Sequence, residues 1–193
     1  IALMKAISNG KHFIFRTAAS FTKVIGDISS KPLLTKEQLI NPDNKNGGLI
    51  VVGSHVQKTT DQLNQLKKFD SIHFVEFNVQ TVTDKDAFTV ETERVQAQVD
   101  NKVAEGKTVC VYTSRKRFDL GEAKGEEELA LSVKISDAVT SFVNACKSNP
   151  KYVIAKGGIT SSDVGVKGLK VKKAEVAGQI VPGVPVWNTG EES

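Results

Sequence analysis

Short, uninterrupted runs of aliphatic residues, each followed by a stretch with helical spacing, limit how this chain can fold more than any other feature. GGLIVVGS at 47–54 is bounded by glycine, and KTVCVYTS at 107–114 and KYVIA at 151–155 have the same character. Continuous runs of this kind are typical of strands buried on both faces of a parallel sheet. We therefore expect an α/β fold with a mostly parallel sheet sandwiched between helices in three layers.

The stretches between and after these runs supply the other elements. IHFVEFNV at 72–79 predicts a further strand. Apolar residues recur at helical spacing in three longer segments, at 57–69, from about Asp84 to Glu105 and from Glu126 to about Lys147. The segment RKRFDLGEAKGEE at 115–127 predicts a charged loop, SSDVGVKGL at 161–169 a short helix, and residues 169–187 a late strand or two.

The first 46 residues fit the alternation less well. RTAASFTKVIGDI at 16–28 predicts a helix, and a turn-rich connection containing Pro32 and Pro42 follows it. We expect a single domain over residues 1–193 with an irregular lead-in at 1–46. The first residue is Ile rather than Met, so we expect the chain to be a piece of a longer protein.

Composition argues against several classes of protein. The 26 basic and 22 acidic residues are interleaved, so the net charge of +4 predicts no nucleic-acid partner, and no apolar run is long enough to predict a membrane partner. Cys110 and Cys146 lie far apart, which predicts reduced thiols in a cytoplasmic protein. The three histidines have no zinc-ligand spacing, so we expect no metal site built from protein side chains alone.

Three loops that follow strands are the places to look for a site, because ligands bind at the carboxyl ends of parallel strands. These are VGSHV with Ser54, TSRKR with Arg115, and KGGITSSDV with Gly157 to Ser161. Glycine lets backbone approach a bulky ligand, and N–H groups at a helix start attract phosphate. Thr160 and Ser161 could add hydrogen bonds to phosphate oxygens, and Asp163 could compete with phosphate or help to hold magnesium.

Each of these residues also has a purely structural interpretation. Gly157 and Gly158 could simply make the turn, Ser54, Ser161 or Ser162 could cap a helix, and Arg115 could be a solvated loop charge. The sequence contains neither GxxxxGK[ST] nor GxGxxG, which disfavours a P-loop kinase and a standard dinucleotide fold. No catalytic base is assigned, because spacing places no partner for a carboxylate.

Five segments together carry a family resemblance: FRTAASF at 15–21, VVGSHV at 51–56, VYTSR at 111–115, AKGGITSSDV at 155–164 and GQIVPGVPVW at 178–187. In this order they resemble the C-terminal, nucleotide-binding domain of the four-carbon acid sugar kinases, long catalogued as a domain of unknown function. The resemblance implies Mg²⁺-ATP-dependent phosphorylation of threonate, erythronate or an oxo-tetronate. It also implies an N-terminal sugar-acid-binding domain as partner, without which this part is inactive.

By position, the resemblance implies ATP contacts at Ser54, Gly157, Gly158, Ile159, Thr160 and Ser161. Arg115 is a candidate phosphate contact for a different reason, because it directly follows a strand. Ile159 replaces an acidic residue of many members, and the chain ends at NTGEES where relatives continue into another glycine-rich loop. We expect that last contact to be missing. The alternative function is a non-catalytic nucleotide- or anion-binding domain, and self-association into a homo-oligomer is a further partner hypothesis.

Overall fold

The computed structural model describes residues 2–116 and 125–190 of the 193-residue chain. The elements, in chain order, are α1 (Ala2–Ser8), α2 (Ala19–Ile25), α3 (Lys36–Leu39), β1 (Leu49–Val52), α4 (Gln57–Leu66), β2 (Ile72–Phe77), a 3₁₀ helix (Val79–Thr83), α5 (Lys85–Ala104), β3 (Thr108–Thr113), α6 (Gly125–Asn144), β4 (Val153–Lys156), α7 (Gly158–Asp163), a π-helical turn (Val164–Gly168), β5 (Glu175–Val181) and β6 (Val184–Asn188). Most of the expected charged loop, residues 117–124, lies outside the described part.

Strands β1 to β4 form one parallel sheet in the order β2-β3-β1-β4. Leu49 and Val51 of β1 face a large core built with α5 and α6, whereas Ile50 and Val52 face a smaller core under α4. Both faces of the strand are therefore buried, as a continuous aliphatic run predicts. The expected α/β architecture, a mostly parallel sheet between helices, is confirmed.

The sheet has a switch point at β1. The helix after β1 packs on one face, and α6, which follows the neighbouring β3, packs on the other. The short α7 that follows β4 also lies on the α6 side, where Asp163 accepts a hydrogen bond from Ser136 of α6. Loops that leave adjacent strands toward opposite faces open a crevice between them, and in open α/β sheets such a crevice, here at the carboxyl end of β1, is the usual place for a ligand.

Several predicted boundaries are corrected. The lead-in helix spans Ala19–Ile25 rather than 16–28, and the two late strands form an antiparallel hairpin separate from the main sheet. The short helix begins at Gly158, three residues earlier than predicted, and ends in a π-helical turn. The early start agrees with a hydrogen bond between α7 and β4, in which the Ser161 hydroxyl donates to the Ala155 carbonyl at 3.0 Å and ties the first turn to the strand.

Candidate nucleotide site

The loops after β1 and β4 meet in close contact. A Cβ atom at Gly53 would lie 2.5 Å from Oγ1 of Thr160, and a Cβ atom at Gly157 would lie 3.1 Å from Cβ of Ser54. Gly157 also has φ +117°, a backbone conformation that favours glycine. Glycine is therefore required on both sides of this contact, which brings the predicted residues Ser54, Gly157 and Thr160 together.

Open space lies beside that contact. A Cβ atom at Gly158 would meet nothing within 4 Å, and the Ile159 side chain is 77% exposed. The first helical hydrogen bond here runs from Ser161 N–H to the Gly157 carbonyl, at 2.8 Å. The N–H groups of Gly158, Ile159 and Thr160 come before it and lack intrahelical acceptors. This side of the loop has both room for a ligand and backbone donors to meet one.

The two capping interpretations from the sequence are wrong. The residue that caps α7 is Gly157, and neither Ser161 nor Ser162 can cap it because both lie inside the helix. Helix α4 is preceded by Val56 without a side-chain cap, and Oγ of Ser54 accepts two long hydrogen bonds, from Val56 N–H at 3.5 Å and from the Thr59 hydroxyl at 3.4 Å. Ser54 is thus placed by the loop rather than by a capping role.

Arg115 ties the loop after β3 to the loop after β1. Its Nη2 donates to the Ser54 carbonyl at 2.7 Å and to Oγ1 of Thr60 at 2.9 Å, and its Nε donates to the same Thr60 oxygen at 3.2 Å. His55 adds a second tie, with Nε2 3.2 Å from the Ser114 carbonyl, so this nitrogen carries the proton. The solvated-charge interpretation of Arg115 is wrong.

The remaining guanidinium nitrogen of Arg115, Nη1, is buried and has no hydrogen-bond partner in the described part of the chain. Burial lowers the pKa of the guanidinium from its ordinary value, and the nearby Glu76 carboxylate opposes that shift. The group stays protonated at neutral pH because arginine starts so high. The guanidinium thus remains a cation that holds the loop after β1 through Nε and Nη2, while Nη1 is buried without a partner among the described residues.

Asp163 does not enter the site. It accepts a 2.8 Å hydrogen bond from the Ser136 hydroxyl and lies 3.7 Å from Nζ of Lys167. Its carboxylate is thus held on the α6 side and is not available to compete with phosphate. Across residues 2–116 and 125–190, no group of three or more His, Cys, Asp or Glu side chains could hold a metal ion.

Two residues of this site were missed by sequence reasoning. Gly53, which makes the closest approach, could have been found because it directly follows a buried strand. Thr60, the anchor of Arg115, could not, because it lies 55 residues from the arginine and has no distinguishing pattern. Ser161 uses its hydroxyl proton internally, on the Ala155 carbonyl.

Comparisons with known proteins agree with this geometry. The family model described as "Nucleotide-binding C-terminal domain" matches residues 49–193. The chain belongs to that family. This match confirms the resemblance to a C-terminal nucleotide-binding domain, and it begins at the first residue of β1, so the lead-in lies outside it. No curated protein matches the chain.

One solved structure similar to this nucleotide-binding domain is a domain of unknown function from Bordetella bronchiseptica, with bound citrate and as a domain-swapped dimer. The TM-score is 0.56 at 18% identity, and the match covers 74% of this chain and 33% of that one. This likeness concerns the fold, and the chain spans about a third of the length of that structure. Among the described residues, no helix is both long and apolar enough to cross a membrane.

Proposed function

We propose that this chain is the ATP-binding domain of a kinase that uses Mg²⁺-ATP to phosphorylate a four-carbon sugar acid of the threonate, erythronate or oxo-tetronate type. The observation that carries the proposal is the glycine contact between the Ser54 and Thr160 loops, with open space at Gly158 next to it. Phosphoryl transfer needs positioned donors more than covalent chemistry, and this arrangement provides them.

Each residue of the site has a role in this proposal. The Ser54 and Thr160 hydroxyls and the N–H groups of Gly158 and Ile159 bind ATP phosphates, while Ser161 holds the loop against β4. The donor set suits an anion, since it consists of hydroxyls, free N–H groups and a guanidinium. Mg²⁺ usually needs only one or two protein ligands beside phosphate oxygens and water. It would therefore arrive with the nucleotide, and Thr160 is the residue we expect beside it.

Calorimetric titration with MgATP, MgADP and NAD tests nucleotide binding directly. We expect saturable binding of the two adenine nucleotides with magnesium and none of NAD. Gly158→Phe should abolish binding without a loss of stability, because its side chain enters empty space that the ligand needs. The matched control is Gly125→Phe, where a Cβ atom also meets nothing within 4 Å. Equal affinity in both variants would contradict the assigned position of the site.

A second candidate function is a non-catalytic domain that binds a nucleotide or another anion. It is favoured by the bound citrate of the Bordetella structure and by Ile159, which leaves the loop without a carboxylate. The two candidates differ in turnover. With a sugar-acid-binding domain and threonate supplied, the kinase proposal expects ADP formation that depends on threonate. Tight ATP binding without any turnover across all three sugar acids would favour the second candidate.

The proposed partner is a sugar-acid-binding domain of the same parent protein. Residues 2–46 bury no side chain and expose large apolar groups such as Phe13, Ile14 and Phe15, which suits a segment that packs against another domain. Self-association is the competing use of that segment, and sedimentation of the isolated chain over a concentration series distinguishes them. We place the activity in the cytoplasm, in keeping with the free thiols of Cys110 and Cys146.

A further inference from the structure

We propose that Thr59 and Thr60, adjacent residues of α4, are positioning residues that hold Ser54 as a hydrogen-bond donor to a phosphate oxygen of the ligand. This role rests on the proposed function and names the chemistry that Ser54 recognises, an anionic acceptor. Thr59 acts on the hydroxyl of Ser54, and Thr60 acts on its backbone through Arg115.

The hydroxyl of Ser54 already accepts hydrogen bonds from its own chain. Its Oγ accepts from the Thr59 hydroxyl at 3.4 Å and from Val56 N–H at 3.5 Å. A serine hydroxyl has two acceptor positions and one proton. Across residues 2–116 and 125–190 no atom accepts that proton. The side chain is therefore set to donate to a ligand rather than to accept from one.

Thr59 directs its hydroxyl toward Ser54 instead of toward its own helix. The helical threonines Thr89, Thr92 and Thr140 donate to the carbonyl four residues before them, whereas Thr59 donates to Oγ of Ser54. Thr59 is 2% exposed, and a buried hydroxyl without a partner costs free energy. Because the bond is long for two hydroxyls, it directs the Ser54 side chain more than it stabilises the fold.

Thr60 fixes the backbone of the same residue. Its Oγ1 accepts from Nε of Arg115 at 3.2 Å and from Nη2 at 2.9 Å, and Nη2 also donates to the Ser54 carbonyl at 2.7 Å. Two bonds from the planar guanidinium to one oxygen set the orientation of the group. The Ser54 carbonyl is thereby tied to α4 through Arg115, which acts here as a link and does not have to reach the ligand.

The two contacts together hold Ser54 at its side chain and at its carbonyl, from neighbouring positions of one helix. Ser54 itself is half-exposed, and its Cβ lies 3.1 Å from the position of a Cβ on Gly157. The positioned hydroxyl thus belongs to the glycine contact and is accessible to a ligand. A donor fixed before binding costs less to order, and an anionic oxygen is the acceptor with which it bonds most strongly.

A double-mutant cycle tests whether Thr59 acts through Ser54. Affinities for MgATP and pyrophosphate are measured for the wild type, Thr59→Val, Ser54→Ala and the double variant, with thermal unfolding of the ligand-free proteins as the folding check. Thr60→Val and Thr60→Ser form a second pair, in which serine keeps the oxygen that the guanidinium needs. Thr92→Val is the matched control, a half-buried helical threonine whose hydroxyl donates to the Phe88 carbonyl within α5.

We expect Thr59→Val and Ser54→Ala each to weaken both ligands about ten-fold, and the double variant to be less than about two-fold weaker than Ser54→Ala. Thr60→Val should weaken both ligands about five-fold, whereas Thr60→Ser and Thr92→Val should stay within about two-fold of the wild type. Additive losses in the cycle, or wild-type affinity in either Thr59→Val or Thr60→Val, would overturn the positioning role.

The remaining outcomes separate this role from the proposed function. If Thr59→Val does not fold, the second pair decides, because equal losses in Thr60→Val and Thr60→Ser would contradict the link through the guanidinium. A wild type that binds pyrophosphate but no nucleotide would contradict the proposed function, and the cycle measured with pyrophosphate would still decide the role of the threonines. A wild type that binds neither ligand would overturn both.

Discussion

Two regions of this chain have similar fractions of apolar residues in sequence, but only one of them buries those residues in the structure. In the sheet body, residues 49–168, each strand of the core packs against helices, and Leu49, Val51 and Phe142 are completely buried. The lead-in, residues 2–46, and the hairpin of β5 and β6 contain no buried residue. The difference lies in periodicity, because only the body arranges its apolar residues on faces that meet one another.

The lead-in forms small aromatic contacts of its own instead of a core. Phe15 lies 5.2 Å from Phe21 and 5.8 Å from Phe13, ring centroid to ring centroid, while Ile14 between them is fully exposed. The hairpin is attached to the lead-in where Leu34 N–H donates to the Gln179 carbonyl at 2.8 Å. We therefore expect the free energy of unfolding to come almost entirely from the body.

The largest expected effect comes from replacing a phenylalanine of the body with alanine, and the same replacement in the lead-in serves as the comparison. Phe142→Ala removes a completely buried ring that packs edge-on against Phe77 at 5.2 Å, and should cost about 3–5 kcal/mol in the free energy of unfolding. Phe15→Ala, at a ring that is 46% exposed, should cost less than about 1 kcal/mol. Urea denaturation measures both. Similar costs would erase the distinction between the regions.

The next largest effect is expected when alanine replaces one of two glycines within the body. Gly53→Ala forces a Cβ to within 2.5 Å of Oγ1 of Thr160, and should cost about 1–3 kcal/mol while displacing the loop that carries Ser54. Gly158→Ala adds a Cβ to open space and should leave stability nearly unchanged. Thermal unfolding and MgATP affinity are measured for both variants. Loss of stability in Gly158→Ala alone would mean that the crowded and open sides of the site are interchanged.

This division was partly readable from the sequence. The strands of the body were predicted because continuous aliphatic runs have few alternatives, and their parallel arrangement then placed Ser54, Arg115 and Gly157 at one edge of the sheet. The start of α7 was missed because Gly158, Ile159 and Thr160 are weak helix formers, and a tertiary hydrogen bond from Ser161 overrides that preference. The partners of Arg115 depend on sheet order and helix position, which local patterns do not determine.

A third prediction uses pH to report on the interior of the body. Burial raises the pKa of the Cys110 thiol to about 12 from an ordinary value of 9.0. The thiol stays neutral in the folded protein while it ionises in the unfolded chain above pH 9.0, so its contribution to stability is complete below that pH and is lost as pH rises toward about 12.

The slope from this group approaches about 1.4 kcal/mol per pH unit. The free energy of unfolding, measured by urea denaturation between pH 8 and pH 10.5, should therefore fall less steeply with pH in Cys110→Ala than in the wild type. The slopes are compared rather than the absolute values, because the substitution also leaves a small cavity. Cys146→Ala is the control, since Cys146 is only half-buried: burial raises the pKa of its thiol, but a hydrogen bond to the backbone of Ser148 opposes that shift. Identical slopes in all three proteins would show that the α4 side of the sheet admits water.

The smallest expected effect comes from the largest change in sequence. Removing residues 1–32 deletes α1, α2 and the aromatic contacts, and none of the side chains described at 2–32 is buried, so the free energy of unfolding should change by less than about 1 kcal/mol. Removing residues 1–46 also deletes Leu34, whose side chain lies 3.2 Å from the position of a Cβ on Gly178. Amide exchange should then accelerate in β5 and β6 and stay unchanged in β1 and β3. A drop of several kcal/mol in the shorter deletion would mean that the lead-in does contribute to the core, and faster exchange across the whole sheet would mean that the two regions unfold as one.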